Sequence, residues 1–429
     1  MYTHAAIVLG VMAAVFAAAT LLKVSIELSM LAGAVAGAIA HGAGIPARHI
    51  VDGAFTYFDV VLIFIAATFF MTLLREMGGV DFIVRGIIRR FHKARLLCLL
   101  FLTLVMLVPG ALTGSGTVTV LVVGALAARV LQGMGIRDDR VAAMIFLTAA
   151  MSAAAPPINL WAMMAAAGSN MPYVGFLGPL AVLSVAGALF TMLYLGRKGT
   201  PVDVERVLAE VPRAEGVRSW KVALPFVVLL GLIVLSRALP FAMPILGLPL
   251  YFVIASVVVV AVSPKRLDII RIARETIERL LPLIGVMVVV GILVQILALS
   301  GARGLISLGV VTMPLAVIIG LLFVILPFSE GLVQYAAAPL LGVPLVLLFN
   351  MKGIDPIIAL SAMAVMWPVG DMLPPTVLVG RAAVMVTGYR GSYYRGFVRA
   401  ALVPALFILA LGTLFVVFSD KLKFLSALG

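Results

Sequence analysis

Blocks of about twenty apolar residues follow one another along almost the whole sequence, and no other feature limits the possible folds as strongly. A helix needs about 20 such residues to cross roughly 30 Å of hydrocarbon. Hydrophobic residues make up 64% of the 429 residues and charged residues 11%, and the mean hydropathy is +1.23. A soluble domain of this length has too little interior for that much apolar surface. The sequence therefore predicts an all-α polytopic membrane protein, with spans near 3–21, 25–42, 58–77, 141–167, 176–196, 222–240, 248–264, 281–299, 357–380 and 400–418.

Most of the basic residues fall on one side of these predicted spans. The net charge of +13 is concentrated at 85–95, 197–221, 265–279 and 381–399. If the amino terminus is extracytoplasmic, 25 of the 31 Lys and Arg residues face the cytoplasm. The six others are Arg48, Arg237, Arg303, Lys352, Lys421 and Lys423. The asymmetry follows the positive-inside rule, so the basic charge orients the chain in a cell (inner) membrane and does not indicate a nucleic acid partner.

Both termini are therefore expected outside the cytoplasm. No basic stretch precedes the first span, so we expect no cleavable signal peptide. The segment KRLDIIRIARETIERLL (265–281) has the pattern of an amphipathic helix at the cytoplasmic surface.

Two further apolar blocks, 96–132 and 311–349, are too long for one span and are interrupted in the middle. The first interruption, PGALTGSGTVT (109–119), contains one proline, three glycines and four hydroxyl side chains. Residues that break a helix free backbone N–H and C=O groups, which persist at membrane depth only beside protein or a water-filled cavity. Both blocks are therefore predicted to be re-entrant hairpins whose tips lie inside the protein.

The chain also contains an internal repeat. GIRDDRVAAMIFLTAAMSAAAPPINL (135–160) and GIDPIIALSAMAVMWPVGDMLPPTVL (353–378) share an opening Gly-Ile and a Pro-Pro pair at an offset of 218 residues. The same offset carries Pro109 onto Pro327. Each half then has five spans and one hairpin, so the second half must be inverted relative to the first.

The repeat divides the chain into three parts. Residues 1–196 form the first inverted repeat, with the hairpin 96–132 and a broken helix at 141–167. Residues 197–221 form a cytoplasmic linker. Residues 222–429 form the second repeat, with the hairpin 311–349 and a broken helix at 357–380. Inverted repeats with interrupted helices near the midplane are typical of secondary transporters.

The tips and breaks supply the ligands that a transport site needs. Helix N-termini favour anions, and freed carbonyls hold a cation such as Na⁺. Glycines in the first tip allow turns and close approach, while Thr113, Ser115 and Thr117 add neutral ligands. The alternative is that these small residues only let helices pack closely.

The second copy adds two acids. Glu330 lies at the second tip and Asp371 at the second break. Ionisable groups inside a span cost at least about 2.5 kcal/mol on insertion scales, so each is a candidate cation ligand or proton acceptor. The alternatives are that Glu330 lies near the surface end of a short hairpin and that Asp371 caps the helix segment after the break.

At these residues the chain resembles the large membrane subunit of TRAP transporters, within the wider ion-transporter superfamily. The resemblance covers about 55–390 and is best over 353–378. It implies an elevator carrier, with a scaffold and a transport domain, that couples uptake of an organic acid to Na⁺. It also implies two protein partners, a small membrane subunit and an extracytoplasmic substrate-binding protein. No enzyme activity and no cofactor other than the coupling ion are expected.

The motifs of the resemblance, together with the two acids, give two sets of candidate site residues. The substrate-binding candidates are Thr113, Gly114, Ser115, Gly116, Thr117, Asn159, Ser329, Gln334 and Thr376. The candidate Na⁺ ligands are Ser115, Ser152, Pro156, Glu330, Gly331, Asp371 and Pro374.

The sequence departs from the family at Leu373, where a threonine is usual, and at the two acids Glu330 and Asp371. Coupling to protons therefore stays open beside Na⁺, as does a stand-alone carrier or antiporter of the same superfamily. A channel is a further alternative because re-entrant hairpins also line pores. A membrane-embedded protease is a weaker one, because no second intramembrane aspartate matches Asp371.

Overall fold

A computed structural model describes residues 2–202, 204–212, 215–239 and 246–428 of the chain. Within these ranges, nine helices are long and apolar enough to cross a membrane. The prediction of an all-α polytopic membrane protein is therefore confirmed. Residues 203, 213 and 214 of the predicted linker, and the end of the predicted span 222–240, lie outside the described residues.

The first half of the chain, up to the linker, contains eleven numbered helices. They are α1 Tyr2–Leu21, α2 Ile26–Ala40, α3 Ala47–Phe55, α4 Phe58–Glu76, α5 Gly79–Phe91, α6 Arg95–Thr113, α7 Gly116–Thr119, α8 Ala125–Gly133, α9 Asp138–Ala154, α10 Leu160–Gly168 and α11 Leu177–Gly196. A π-helical segment, Val120–Gly124, joins α7 to α8. The linker contains α12, Val204–Glu210.

The second half contains nine helices. They are α13 Ser219–Ala238, α14 Gly247–Val262, α15 Ile269–Leu299, α16 Ala302–Thr312, α17 Leu315–Val333, α18 Val343–Met351, α19 Pro356–Met366, α20 Leu378–Thr387 and α21 Arg399–Val417. Five short segments accompany these helices. Three are 3₁₀ turns, namely Gln334–Ala336, Trp367–Met372 and Ser419–Leu428. Two are π-helical, namely Ala338–Gly342 and Tyr393–Val398, and the second of these leads into α21.

Helix boundaries in the two halves correspond at the offset of 218 residues. The π-helical segments Val120–Gly124 and Ala338–Gly342 stand at this offset from each other. So do the two X-Pro peptide bonds in cis, Pro156–Pro157 and Pro374–Pro375. The broken helices also correspond, because α9 is matched by α19 with its 3₁₀ turn and α10 is matched by α20. The inverted relation of the two halves stays a prediction.

Two boundaries differ from the sequence-based expectations. Segment 265–281 is not a separate surface helix, because α15 runs without a break from Ile269 to Leu299 and contains Pro282. One proline removes a single hydrogen bond, and packing of α15 against α2, α3 and α4 holds the helix together. The second hairpin begins at Leu315 rather than at 311, because α16 ends at Thr312 as a separate helix. The helix of the first half that corresponds to α16 is α5, and neither of the two is among the predicted spans.

The helices pack in two groups. In the first group, α1 packs on α2, α15 packs on α2, α3 and α4, and α14 lies between α4 and α13. The second group is built around α9, which contacts α6, α11, α20 and α21. Every residue of α9 from 141 to 154 is buried, as expected of a helix that is apolar all round. The first group contains no tip or break and is called the scaffold group below; its role as a scaffold stays a prediction.

Candidate functional site

Both hairpins are hydrogen-bonded to the broken helix of their own half. The backbone N–H of Ile158, after the first Pro-Pro pair, donates to the carbonyl of Ala111 at 3.1 Å. The backbone N–H of Thr376, after the second pair, donates to the carbonyl of Gly331 at 3.3 Å. The groups freed at the breaks are therefore satisfied by the tips, as burial of irregular backbone requires.

In each half the hairpin crosses the broken helix at close range, and one glycine makes this crossing possible. In the first half a Cβ on Gly110 of the hairpin would clash with the Ser152 hydroxyl and lie 2.7 Å from the Ala153 nitrogen. In the second half the glycine is on the other partner, because a Cβ on Gly370 would clash with the Pro327 carbonyl. Positions 152 and 370 are 218 residues apart. The close approach is thus the same in both halves, although opposite partners make room for it.

Ser152 fixes the first crossing. Its hydroxyl accepts from the Gly110 N–H at 2.8 Å, donates to the Leu107 carbonyl at 2.7 Å, and lies 2.9 Å from the Thr119 hydroxyl. Three protein partners therefore surround an oxygen that was predicted as a Na⁺ ligand. The Ser152 side chain is suited to holding hairpin and helix together.

Glu330 is buried beside the first half of the chain. Its side chain is 0% exposed, and its Oε2 accepts a hydrogen bond of 2.8 Å from the indole N–H of Trp161. Its other oxygen, Oε1, is buried without a hydrogen-bond partner. An unsatisfied buried carboxylate oxygen is costly, so this one is available to a ligand.

Asp371 lies next to Glu330. Its side chain is 6% exposed, and its neighbour Gly370 packs directly on the backbone of α17. The two carboxyl groups are close enough to interact electrostatically. Among the described residues, the Asp371 carboxylate forms neither a hydrogen bond nor an ion pair. The second half therefore holds two buried acids and no basic partner for either.

Two aromatic rings connect this acid pair to the first tip. The ring of Trp161 lies 4.6 Å from the ring of Tyr335, which follows the second tip. The Tyr335 hydroxyl donates to the carbonyl of Gly114 at 3.5 Å. Both rings are buried. Each tip is thus in contact, through one aromatic pair, with the broken helix or tip of the other half.

A cavity of about 320 Å³ lies between the tips and the scaffold group. Four predicted substrate-binding residues line it, namely Ser115, Thr117, Gln334 and Thr376. The opposite wall comes from α2, α4 and α15 and includes Glu27, Arg75 and Arg279. Apolar side chains such as Phe64 and Leu283 complete the lining. A cavity of this size with a few convergent polar groups has the character of a small-molecule site.

The other predicted residues lie away from this cavity. The Thr113 hydroxyl donates to the Pro109 carbonyl at 2.7 Å, and Asn159 caps α10 by accepting from the Ala162 N–H at 2.9 Å. Gly116 packs against Ala149. Ser329 donates to Leu326 and faces a different, apolar cavity beside α1. The remaining candidates, which lie at the tips or breaks and do not line the cavity, are Gly114, Pro156, Gly331 and Pro374.

The two helices that follow the breaks differ at their N-termini. Asn159 caps α10 with its side chain. Val377, at the corresponding position before α20, has a left-handed backbone (φ +40°) and provides no side-chain cap. Pro375, Thr376 and Leu378, around this second N-terminus, line the cavity. Uncapped N–H groups and the helix dipole favour a negatively charged group there.

The sequence analysis missed the residues of the scaffold wall. Arg75 and Arg279 lie near the ends of apolar runs, where basic residues are ordinarily explained by membrane orientation. A signal was present, because both belong to a Thr-x-x-Arg pattern, TLLR at 72–75 and TIER at 276–279. Nothing in the sequence indicated that the two helices pack side by side.

The fold is similar to that of known membrane transporters. The structure of the YdaH transporter of Alcanivorax borkumensis matches with a TM-score of 0.59 at 16% identity, over 86% of this chain and 87% of that one. The structure of Neisseria gonorrhoeae MtrF, described within a class of antimetabolite efflux pumps, matches with a TM-score of 0.56 at 13% identity, over 85% and 83%. No protein-family model matches the sequence, and no curated protein sequence matches it. The chain therefore has the fold of a membrane transporter.

Proposed function

We propose that this chain is a secondary active transporter that takes up a small organic acid with Na⁺, as the large membrane subunit of a TRAP-type system. The observation that carries the proposal is the cavity in which polar groups from both halves, namely the hydroxyls of Ser115, Thr117 and Thr376 and the amide of Gln334, lie opposite two arginines. Tips and breaks that meet beside a cavity are the arrangement in which carriers hold their substrate.

The charge of the cavity favours an anion. Arg75 and Arg279 supply two positive charges, and Glu27 supplies one negative charge. The uncapped N-terminus of α20 adds partial positive charge from the side of the tips. A carboxylate bound by Thr376, Ser115 and an arginine would be paired and hydrogen-bonded, which burial of a charge requires.

The coupling ion is proposed to bind beside Glu330 and Asp371. Both carboxylates are buried, and among the described residues neither has a basic partner and the Oε1 of Glu330 has no hydrogen bond. A bound cation offsets this charge, and oxygen ligands suit a hard cation such as Na⁺. The indole of Trp161 holds the other oxygen of Glu330 in place.

The elevator mechanism and the protein partners rest on the TRAP resemblance. The tip-bearing group would move as the transport domain against α1–α4 and α13–α15. A small membrane subunit would extend this scaffold, and an extracytoplasmic binding protein would deliver the substrate. The fold of a membrane transporter is consistent with a chain that is not an enzyme.

The second candidate is a stand-alone carrier or antiporter, with H⁺ as its coupling ion. It is favoured by the similarity in fold, over more than four fifths of the chain, to YdaH and to the efflux pump MtrF. The acid pair could accept a proton in place of Na⁺.

The test is uptake into proteoliposomes. Purified chain is reconstituted alone, and also with a small membrane subunit and an extracytoplasmic binding protein of the TRAP type. Radiolabelled succinate and N-acetylneuraminate are offered with an inward Na⁺ gradient, with a pH gradient, and with neither. The proposal expects saturable uptake that requires Na⁺ and all three proteins.

Two results would contradict this proposal and support the second candidate in whole or in part. Uptake or efflux by the chain alone would establish the stand-alone carrier. Transport that ignores Na⁺ and stops when the pH gradient is collapsed would assign coupling to H⁺. Conductance at ion-channel rates would contradict both candidates.

A further inference from the structure

Two scaffold helices present the same pair of residues to the cavity. Thr72 and Arg75 lie on α4, and Thr276 and Arg279 lie on α15, which packs against α4. Residues three apart share one face of a helix, so each Thr-x-x-Arg pattern places a hydroxyl and a guanidinium one turn apart. The two patterns therefore place two hydroxyl groups and two guanidinium groups on one wall of the cavity, to which Thr68 of α4 adds a third hydroxyl.

Among the described residues, neither guanidinium is held in a short ion pair, although the Asp81 carboxylate lies within electrostatic range of Arg75. Within the part of the chain that the structure describes, the Arg75 guanidinium forms no ion pair and no hydrogen bond. Arg279 has one ion pair there, a 3.6 Å contact with Glu275 between two partly exposed side chains. Such a pair is weak. The carboxylate of Glu27 is the one acid on the lining, so the cavity has a net charge of about +1.

Arg75 lines both this cavity and a second one. The second cavity, of about 720 Å³, shares Arg75, Leu121 and Val122 with the first and is lined by the linker residues Pro212 and Glu215. Its charged lining residues are balanced, with Arg75, Arg129 and Lys265 against Glu76, Asp81 and Glu215. Excess positive charge therefore begins at the boundary between the two cavities, which Arg75 lines from both sides.

We propose that Arg75 and Arg279 form an anion-selective gate on the linker side of the cavity. The gate admits organic anions such as carboxylates and disfavours cations while the cavity faces the linker. A cleft with one sign of charge and low-dielectric walls raises the local concentration of the opposite charge by 10-fold to 10³-fold. The inference deepens the proposed function, on which it rests for the identity of the passing ion as a carboxylate. Its test does not depend on transport.

The gate can be probed with small thiol reagents of different charge. In the full chain, Cys98→Ala removes the single cysteine, which is buried, and Thr117→Cys places a thiol on the cavity wall beyond the gate. Sulfonatoethyl, trimethylammonium-ethyl and methyl methanethiosulfonate supply an anionic, a cationic and a neutral probe. With both arginines present, the anionic probe should react faster than the cationic one, after each rate is divided by that of the neutral probe.

Substitution of the arginines should remove this preference. The double variant Arg75→Gln with Arg279→Gln should lower the anionic-to-cationic rate ratio about tenfold. Arg75→Lys should keep most of the ratio, and Glu27→Gln should raise it. Arg274→Gln is the matched control, because Arg274 lies on the same helix, pairs with Glu278 at 2.8 Å and does not line the cavity.

The gate is overturned if the double variant keeps the ratio of the parent. It is also overturned if all three rates fall by the same factor, since that result means blocked access rather than lost charge. The gate and the proposed function can fail separately. Charge-dependent labelling without organic-acid transport would retain the gate and reject the carrier, and transport without charge-dependent labelling would reject the gate alone.

Discussion

Glu330 and Asp371 occupy positions at which the first half of the chain has Leu112 and Ala153. The helices around the two pairs of positions have corresponding boundaries, so the fold can be built without either acid. A buried carboxylate without a charged partner lowers stability, and here two of them lie side by side. Residues that the fold does not require and that destabilise it are best explained by a function, and the function proposed for these two is cation binding.

Asp371→Asn is therefore expected to separate stability from ion binding. The substitution removes a charge that has no protein partner, so the melting temperature should stay the same or rise. The increase in melting temperature that Na⁺ causes, relative to choline, should become smaller or disappear. Asp420→Asn is the control, because Asp420 is exposed and pairs with Lys423. A Na⁺-dependent increase equal to that of the parent would remove Asp371 from the ion site.

Trp161→Phe tests the contact between the two halves. The substitution removes the indole N–H that donates to Glu330 and leaves that buried carboxylate without a hydrogen bond. We expect a loss of about 1–3 kcal/mol in the free energy of unfolding, measured by thermal or chemical denaturation in detergent. The control is Trp220→Phe, because Trp220 is 52% exposed.

A second substitution shows whether the charge causes that loss. Leu112 stands at the position that corresponds to Glu330, so Glu330→Leu should be accepted by the surrounding helices. In the background of Trp161→Phe, Glu330→Leu should recover much of the lost stability. If Trp161→Phe is no more destabilising than Trp220→Phe, the hydrogen bond does not contribute to stability.

At the scale of helices, the site depends on two crossings that only glycine permits. Pro109 and Pro327 interrupt the hydrogen bonding of the hairpin helices at the level of the breaks. Gly110 and Gly370 then let the hairpin and the broken helix of each half approach until their backbones touch. The freed backbone groups are satisfied across these contacts, which is why interrupted helices can persist inside the protein.

Gly370→Ala should disrupt the second crossing. The new methyl group would clash with the Pro327 carbonyl and lie 2.8 Å from the Cβ of Glu330, so hairpin and helix must separate. We expect a loss of about 1–3 kcal/mol in the free energy of unfolding, as is usual for overpacking. Gly320→Ala is the control, because Gly320 lies on α17 with open space around it. Equal melting temperatures for the two variants would contradict the close packing at Gly370.

At the scale of the whole molecule, the polar path lies on one side. The cavity beside the tips continues into the second cavity, which reaches the linker residues Pro212 and Glu215. If the linker is cytoplasmic, this conformation faces the cytoplasm. An elevator movement would then carry the tips away from Arg75 and Arg279 and towards the other side of the membrane.

The orientation can be tested by thiol labelling in a Cys98→Ala background. Lys198 lies in the predicted linker and is exposed, so a cysteine at this position is accessible to a labelling reagent. Cysteines introduced by Lys198→Cys and by Ala427→Cys, near the carboxyl terminus, should react with a membrane-impermeant reagent from opposite sides. Reaction of both from the same side would contradict the inverted topology. The physical reason for the expectation is the uneven distribution of Lys and Arg among the loops.

The sequence by itself determined the class of fold and much of its plan. Apolar blocks of spanning length require helices, because a lipid-exposed backbone must satisfy its own hydrogen bonds. Prolines and glycines within the two longest blocks predicted the hairpins, and the Pro-Pro pairs predicted the two broken helices, since local backbone chemistry decides where a helix stops. The acids Glu330 and Asp371 stood out for the same local reason, namely the free energy needed to place a charge at membrane depth.

Only the tertiary structure decided which predicted residues share a cavity. Ser115 and Thr117 line it. In contrast, the Thr113 hydroxyl is hydrogen-bonded within its own helix, and the Asn159 side chain caps α10. Arg75 and Arg279 enter the cavity from helices more than 200 residues apart, and Trp161 meets Glu330 across 169 residues. Such meetings depend on how helices pack, and packing follows the shape of whole helix faces. Composition and spacing record the chemistry of each residue but not its neighbours in space.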